Sequence, residues 1–197
     1  PLHRRVKLET FELFGLQFYE RDLARFMGRT SRDIFSDVLR RAGRSDLTAQ
    51  ALADFKPAHY LEVIERAGME TIPGRLALIE RLHAAGVPLA LATSSWRRVV
   101  DTVLSALQLE DVFASVISGT ELPASKPDPA IYERSAEALG ASPAACVVLE
   151  DTAAGVLAAK RAGMYCIGFR SPHSGAQDLS RADRIVENLS AIDIDTL

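Results

Sequence analysis

Cysteine is scarce in these 197 residues: only Cys146 and Cys166 occur, both inside apolar runs. They read as buried free thiols, and a reducing, cytoplasmic setting fits them. Excess basic charge is also missing. A net charge of −3 and a pI near 5.8 argue against broad binding of nucleic acid or anionic membrane. No apolar run is long enough to span a bilayer, and no signal-peptide pattern opens the chain. Repeats and low-complexity tracts are absent. An initiator methionine is absent too, since the first residue is Pro1. What is present is apolar content of 48%, enough for a real core. The length suits one core with a small insert. An anionic substrate stays open, because local charges and a metal set the field inside a site.

Two halves read differently. From Val6 to about Ala67 the pattern is helical: Phe11, Phe14 and Phe18 recur at helical spacing, as do Ile34, Phe35, Val38 and Leu39. Gly15, Gly28 and Gly43 read as helix ends. Pro73-Gly74 marks a turn at a domain junction. Beyond it, helix and strand alternate. Leu76, Ile79 and Leu82 form a helix face that Gly86 ends. Val87–Ala92, Val116-Ile117, Cys146–Leu149, Tyr165–Phe169 and Ile185-Val186 read as strands. Helices are expected around Val99, Val103 and Leu107, over Ile131–Leu139 behind Pro129, and over Val156–Ala162. Such alternation implies a parallel sheet with helices on both faces.

In open parallel sheets, ligands bind beyond the carboxyl ends of the strands. Thr93, Ser94 and Ser95 follow the first strand, Ser125-Lys126-Pro127-Asp128-Pro129 the second, and Glu150, Asp151 and Thr152 the third. Hydroxyls and helix-start N–H groups hold phosphate oxygens. Lys126 offers a compact positive charge. Adjacent acids at a strand end are hard-oxygen ligands suited to Mg²⁺. Each residue also has a plainer role: Thr93 or Ser94 as a helix cap, Glu150 and Asp151 as solvated first-turn acids, Lys126 as a surface lysine. Three polar groups on one expected rim, in strand order, favour the joint reading.

Leu89-Ala90-Leu91-Ala92-Thr93-Ser94-Ser95 resembles the second motif of the haloacid dehalogenase-like superfamily. Ser125-Lys126-Pro127-Asp128-Pro129 resembles its third, and Val147-Val148-Leu149-Glu150-Asp151-Thr152-Ala153-Ala154-Gly155 its fourth, with Thr152 where serine is usual. The match is closest to the branch of β-phosphoglucomutases and sugar phosphatases. That resemblance implies an α/β fold: a Rossmann-like parallel-sheet core over 71–197 and an inserted helical cap domain over 1–70, with hinge residues at its start. It also implies a first core strand, ending in Asp-x-Asp, that this sequence lacks. The chain is therefore expected to be an N-terminally truncated copy, with a naturally degenerate, non-catalytic binding protein as the rival.

The resemblance further implies a Mg²⁺-dependent phosphohydrolase acting on a small phosphorylated metabolite, such as a sugar phosphate, through an aspartyl-phosphate. A phosphosugar mutase is the alternative. Thr93, Ser94 and Lys126 would bind phosphate, with Thr93 and Lys126 serving catalysis. Asp151 would bind the metal, with Glu150 second or outer-shell. In the cap, Arg29 and Arg32 would meet a distal substrate group, and His3 stands at the hinge position. Trp96 would line the site mouth or pack on the cap.

Overall fold

A computed structural model describes residues 2–17, 31–67 and 74–196. The chain divides into two units, Pro1–Met69 and Glu70–Leu197. Among its described residues the first holds three helices: α1 (Leu2–Leu13), α2 (Ser31–Ala42) and α3 (Ala49–Ala67). No strand occurs there among the described residues. The helical spacing read from the sequence becomes a core of Phe11, Leu16, Ile34, Phe35, Val38, Leu39 and Leu52. Phe11 and Phe35 meet edge to face at 5.5 Å, a favoured aromatic geometry. Gly15 takes a left-handed φ of 63°. There it lets the Leu16 N–H reach back to Phe11 O, closing α1. Phe14 falls in that turn rather than in the helix. Phe18 and Gly28 lie outside the described residues.

The second unit is α/β, as expected. Its helices are α4 (Arg75–Ala84), α5 (Arg97–Ala106), α6 (Ala130–Ala138) and α7 (Ala153–Arg161). Its strands are β1 (Ala90–Thr93), β2 (Ser115–Ser118), β3 (Val147–Glu150), β4 (Tyr165–Phe169) and β5 (Arg184–Val186). The first strand starts later than the apolar run suggests. Val87 N–H is spent closing α4 on Leu82 O, and Pro88 has no N–H to give a ladder. Among the described residues all pairings are parallel. They form two sheets rather than one: β1-β2, and β3-β4-β5. β1 and β3 each keep one edge without a strand partner among the described residues.

Helices cover both faces. Val148 and Cys166, paired across β3 and β4, pack with Ile131, Tyr132 and Ala136 of α6 and with Val156, Ala158 and Ala159 of α7. On the other face Ile167, Phe169 and Val186 pack on Leu78 of α4. Leu76 and Ile79, from the same helix, pack instead beside Leu91 and Val116 with Val100 and Leu104 of α5. One helix thus serves both sheets. Val147 and Leu149 of β3 stay 41% and 43% exposed.

Candidate active site

β1 ends at Thr93, and the chain there is pinned from two sides. Thr93 Oγ1 accepts from Ser95 N–H at 3.1 Å. Ser118, fully buried at the end of β2, donates its hydroxyl to Ser95 O at 2.7 Å. Gly119 follows so closely that a Cβ on it would stand 3.3 Å from Thr93 O. Neither Thr93 nor Ser94 caps α5. Its N-cap is Trp96, half exposed, with no side-chain hydrogen bond to the helix. The first N–H groups of α5 therefore keep their donors free of a side-chain cap.

Lys126 leaves a loop that is itself anchored. Asp128 Oδ1 accepts from Ala130 N–H at 3.0 Å, and Arg161 donates to Pro127 O at 2.9 Å. Its ammonium reaches two strand ends: Glu150 Oε1 at 2.5 Å, on the last residue of β3, and Ala92 O at 3.5 Å in β1. It also lies 4.8 Å over the ring of Tyr132 in α6. An ammonium has three donors, so one remains for a ligand. Only 11% of the Lys126 side chain is exposed, which excludes the plain surface-lysine reading.

Glu150 is not a solvated first-turn acid either. It is buried, and five donors converge on its carboxylate. Lys126 and the Tyr132 hydroxyl, the latter at 2.6 Å, share Oε1. Asp151 N–H, Thr152 N–H and the Thr152 hydroxyl share Oε2 at 2.9–3.2 Å. Burial pushes its pKa up, but the Lys126 charge and the hydrogen bonds of Lys126, Tyr132 and Thr152 outweigh that and hold it below the usual value. Burial, then the Glu150 charge, drives the Tyr132 phenol well above its usual range. Behind the carboxylate is Gly155: a Cβ there would fall 2.0 Å from Glu150 Cδ.

Asp151 is partly exposed, and its Oδ2 accepts from Ser174 at 2.5 Å. Oδ1 has no hydrogen bond to a described residue. Thr152 caps α7 through Gly155 N–H at 3.1 Å, and Gln177 accepts from Ala153 N–H at 3.0 Å. Among the described residues no group of three or more His, Cys, Asp and Glu is placed to hold a metal. Of the acidic pair, Asp151 keeps an oxygen for a cation. Glu150, expected as a second or outer-shell ligand, has every in-plane lone pair engaged within the fold. The sequence reading missed Tyr132, Ser118 and Ser174, and gave Gly155 no role beyond its place in the fourth motif. The one available signal was a phenol on the apolar face of the helix after Lys126.

The residues expected to act from a cap all belong to the first unit. Arg29 lies outside the described residues. Arg32 and His3 lie within α2 and α1, with side chains outside the described set. The first unit has a cleft of about 340 Å³ lined by Arg5, Glu9, Glu12, Leu13, His59 and Val63. Within it, Glu9 pairs with Arg5 at 2.7 Å and meets His59 Nε2 at 2.9 Å. The Arg5 hydrogen bond, with His59, holds Glu9 below its usual pKa despite partial burial. None of the expected rim residues belongs to it. No described helix is long and apolar enough to cross a membrane.

Parallel β-strands under helices on both faces, with polar residues at the carboxyl ends, define a Rossmann-like α/β protein. The family profile of haloacid dehalogenase-like hydrolases matches residues 5–169, and the chain belongs to that family of enzymes. It is 33% identical over 198 residues to the protein CbbY of Rhodobacter capsulatus, covering 96% of this chain and 87% of that protein. It is 32% identical to validoxylamine A 7'-phosphate phosphatase of Streptomyces hygroscopicus subsp. limoneus, again covering 96% and 87%. Among solved structures, a mutant CbbY from Rhodobacter sphaeroides, in complex with xylulose-(1,5)bisphosphate, superposes with a TM-score of 0.83. The identity there is 25%, over 96% of this chain and 88% of that one.

Proposed function

We propose that this chain acts as a Mg²⁺-dependent phosphohydrolase on a small phosphorylated metabolite, with a phosphorylated sugar or polyol as the substrate class. The observation that supports this most is Lys126, whose buried ammonium stands at the carboxyl ends of two parallel strands with a donor to spare. The relatives support the substrate class: one is named for a phosphate ester of validoxylamine A, and a CbbY binds xylulose-(1,5)bisphosphate.

In this reading the Thr93 hydroxyl and the Ser94 N–H bind two phosphoryl oxygens, and Lys126 offsets charge on the phosphoryl group as it transfers. Mg²⁺, with Asp151 as one ligand, would supply further charge neutralisation. Thr93 and Lys126 are no acyl-phosphate nucleophiles, Asp151 serves the metal, and Glu150 is engaged. We assign the nucleophile to an aspartate from a segment outside these 197 residues. Its oxygen would bond to phosphorus as the ester oxygen leaves, and water would then hydrolyse the aspartyl-phosphate. We assign substrate specificity to the helical first unit, with Arg29, Arg32 and His3 as its candidate residues.

The test is phosphate release from a panel of phosphorylated sugars and polyols. It compares the 197-residue chain with a version carrying its native upstream sequence, each with Mg²⁺ and with chelator. Release by the longer protein only, lost with chelator and reduced at least 100-fold in Lys126→Ala, is expected. Turnover by the 197-residue chain overturns the assigned nucleophile. Turnover by Lys126→Ala within tenfold of the parent overturns the site. Phosphoryl transfer to a sugar in place of water would identify a mutase.

A further inference from the structure

Lys126 carries its charge on a four-carbon stem with a large rotamer entropy, so something must hold it where a phosphoryl group can use it. The obvious partner is Glu150. Yet a lone carboxylate would leave the ammonium free to swing around Oε1 or across to Oε2. Tyr132 removes that freedom with two different parts of one side chain. Its hydroxyl takes the second lone pair of Oε1 at 2.6 Å, and its ring face lies 4.8 Å beneath the ammonium. Oε2 is closed to the lysine by Thr152 and the Asp151 N–H. The carboxylate cannot retreat, because it lies against the α7 backbone at Gly155 with no room for a Cβ. Tyr132 is itself only 5% exposed and wedged among Ile131, Val148 and Val156.

We propose that Tyr132 is a positioning residue for Lys126, acting through Glu150 and through its own ring, and that Glu150 holds the lysine instead of binding the metal. This rests on the proposed phosphate-binding role of Lys126. Tyr132→Phe keeps the ring and deletes one hydrogen bond, freeing Oε1 for the ammonium to shift. Tyr132→Leu deletes both supports. Loosened charge placement weakens what is made in the transition state more than what is made with bound substrate, so the loss belongs in kcat.

The experiment uses the active full-length protein. Tyr132→Phe should lower kcat about tenfold and Tyr132→Leu further, with KM changed less than threefold. Glu150→Gln should lower kcat while keeping the rise in melting temperature that Mg²⁺ produces. Asp151→Asn should abolish that rise. Tyr132→Phe with parental kcat overturns the positioning role. Loss of the Mg²⁺-dependent rise in Glu150→Gln overturns its assignment as lysine holder, and Tyr132→Phe, which conserves the fold, tests the role separately. Should Lys126→Ala keep its activity, the underlying site reading fails. Should Lys126→Ala be inactive and Tyr132→Phe unaffected, only this proposal fails.

Discussion

Gly155 shows how one residue can be decided by a neighbour five positions away. In a helix, glycine is less stable than alanine by about 0.5–1 kcal/mol, so Gly155→Ala would ordinarily stabilise α7. Here the added methyl would stand 2.0 Å from Glu150 Cδ and 2.2 Å from both carboxylate oxygens. Making room means moving a buried ion pair or a helix turn, and overpacking of this kind costs about 1–3 kcal/mol. The clash should win: Gly155→Ala is expected to lower the stability measured by urea unfolding, by up to about 2 kcal/mol. An increase would show that Glu150 can relocate freely. The glycine was visible in the sequence as part of a motif, but the reason for it depends on which way Glu150 points.

Between elements, a single carboxylate joins three pieces of the core. Asp183, just before β5, takes two hydrogen bonds from Lys160 of α7 at 2.7 and 2.6 Å and one from Cys166 N–H of β4 at 2.7 Å. The Lys160 hydrogen bond first, then that of Cys166, holds its pKa below 3.8. A group with a depressed folded pKa stabilises above its unfolded value and loses that contribution as pH falls through the folded one. The acid limb of unfolding below about pH 4 should therefore flatten in Asp183→Asn. The pair is partly exposed, so the loss near pH 7 should be small, about 0–1 kcal/mol. Unchanged acid unfolding would mean that Asp183 titrates alike in both states. The elements it joins were legible from the sequence: β4 runs over Tyr165–Phe169, as its apolar run indicates. β1 was less so, because Pro88 spoils an otherwise continuous run.

For the whole molecule, the informative feature is the edge of β1 and of β3 that has no strand partner among the described residues. Buried backbone groups seldom go without partners, and Leu149 is 43% exposed on a strand whose alternate residue Val148 is buried. A strand from the segment proposed to carry the nucleophile would satisfy both edges. Leu149→Ala should then cost less than about 1 kcal/mol in the 197-residue chain, since the side chain already meets water. With the native upstream sequence present it should cost about 2–5 kcal/mol, the range for a buried leucine. Equal effects in the two proteins would argue against a strand at that edge.

By itself the sequence determined the periodicities: helices up to Ala67, alternating strands and helices beyond Gly74, and the polar residues following each strand. These are local properties, set by side-chain spacing along the chain. Thr93, Lys126 and Asp151 were legible as a candidate rim for that reason. Tertiary structure alone decided what each does there. It split the strands into two sheets and left α5 without a side-chain cap. It also turned Glu150 inward onto Lys126, Tyr132 and Thr152, so that of this acidic pair Asp151 keeps an oxygen for a cation. Those outcomes depend on contacts between residues 18 and 24 positions apart, and on how many donors one buried carboxylate can accept.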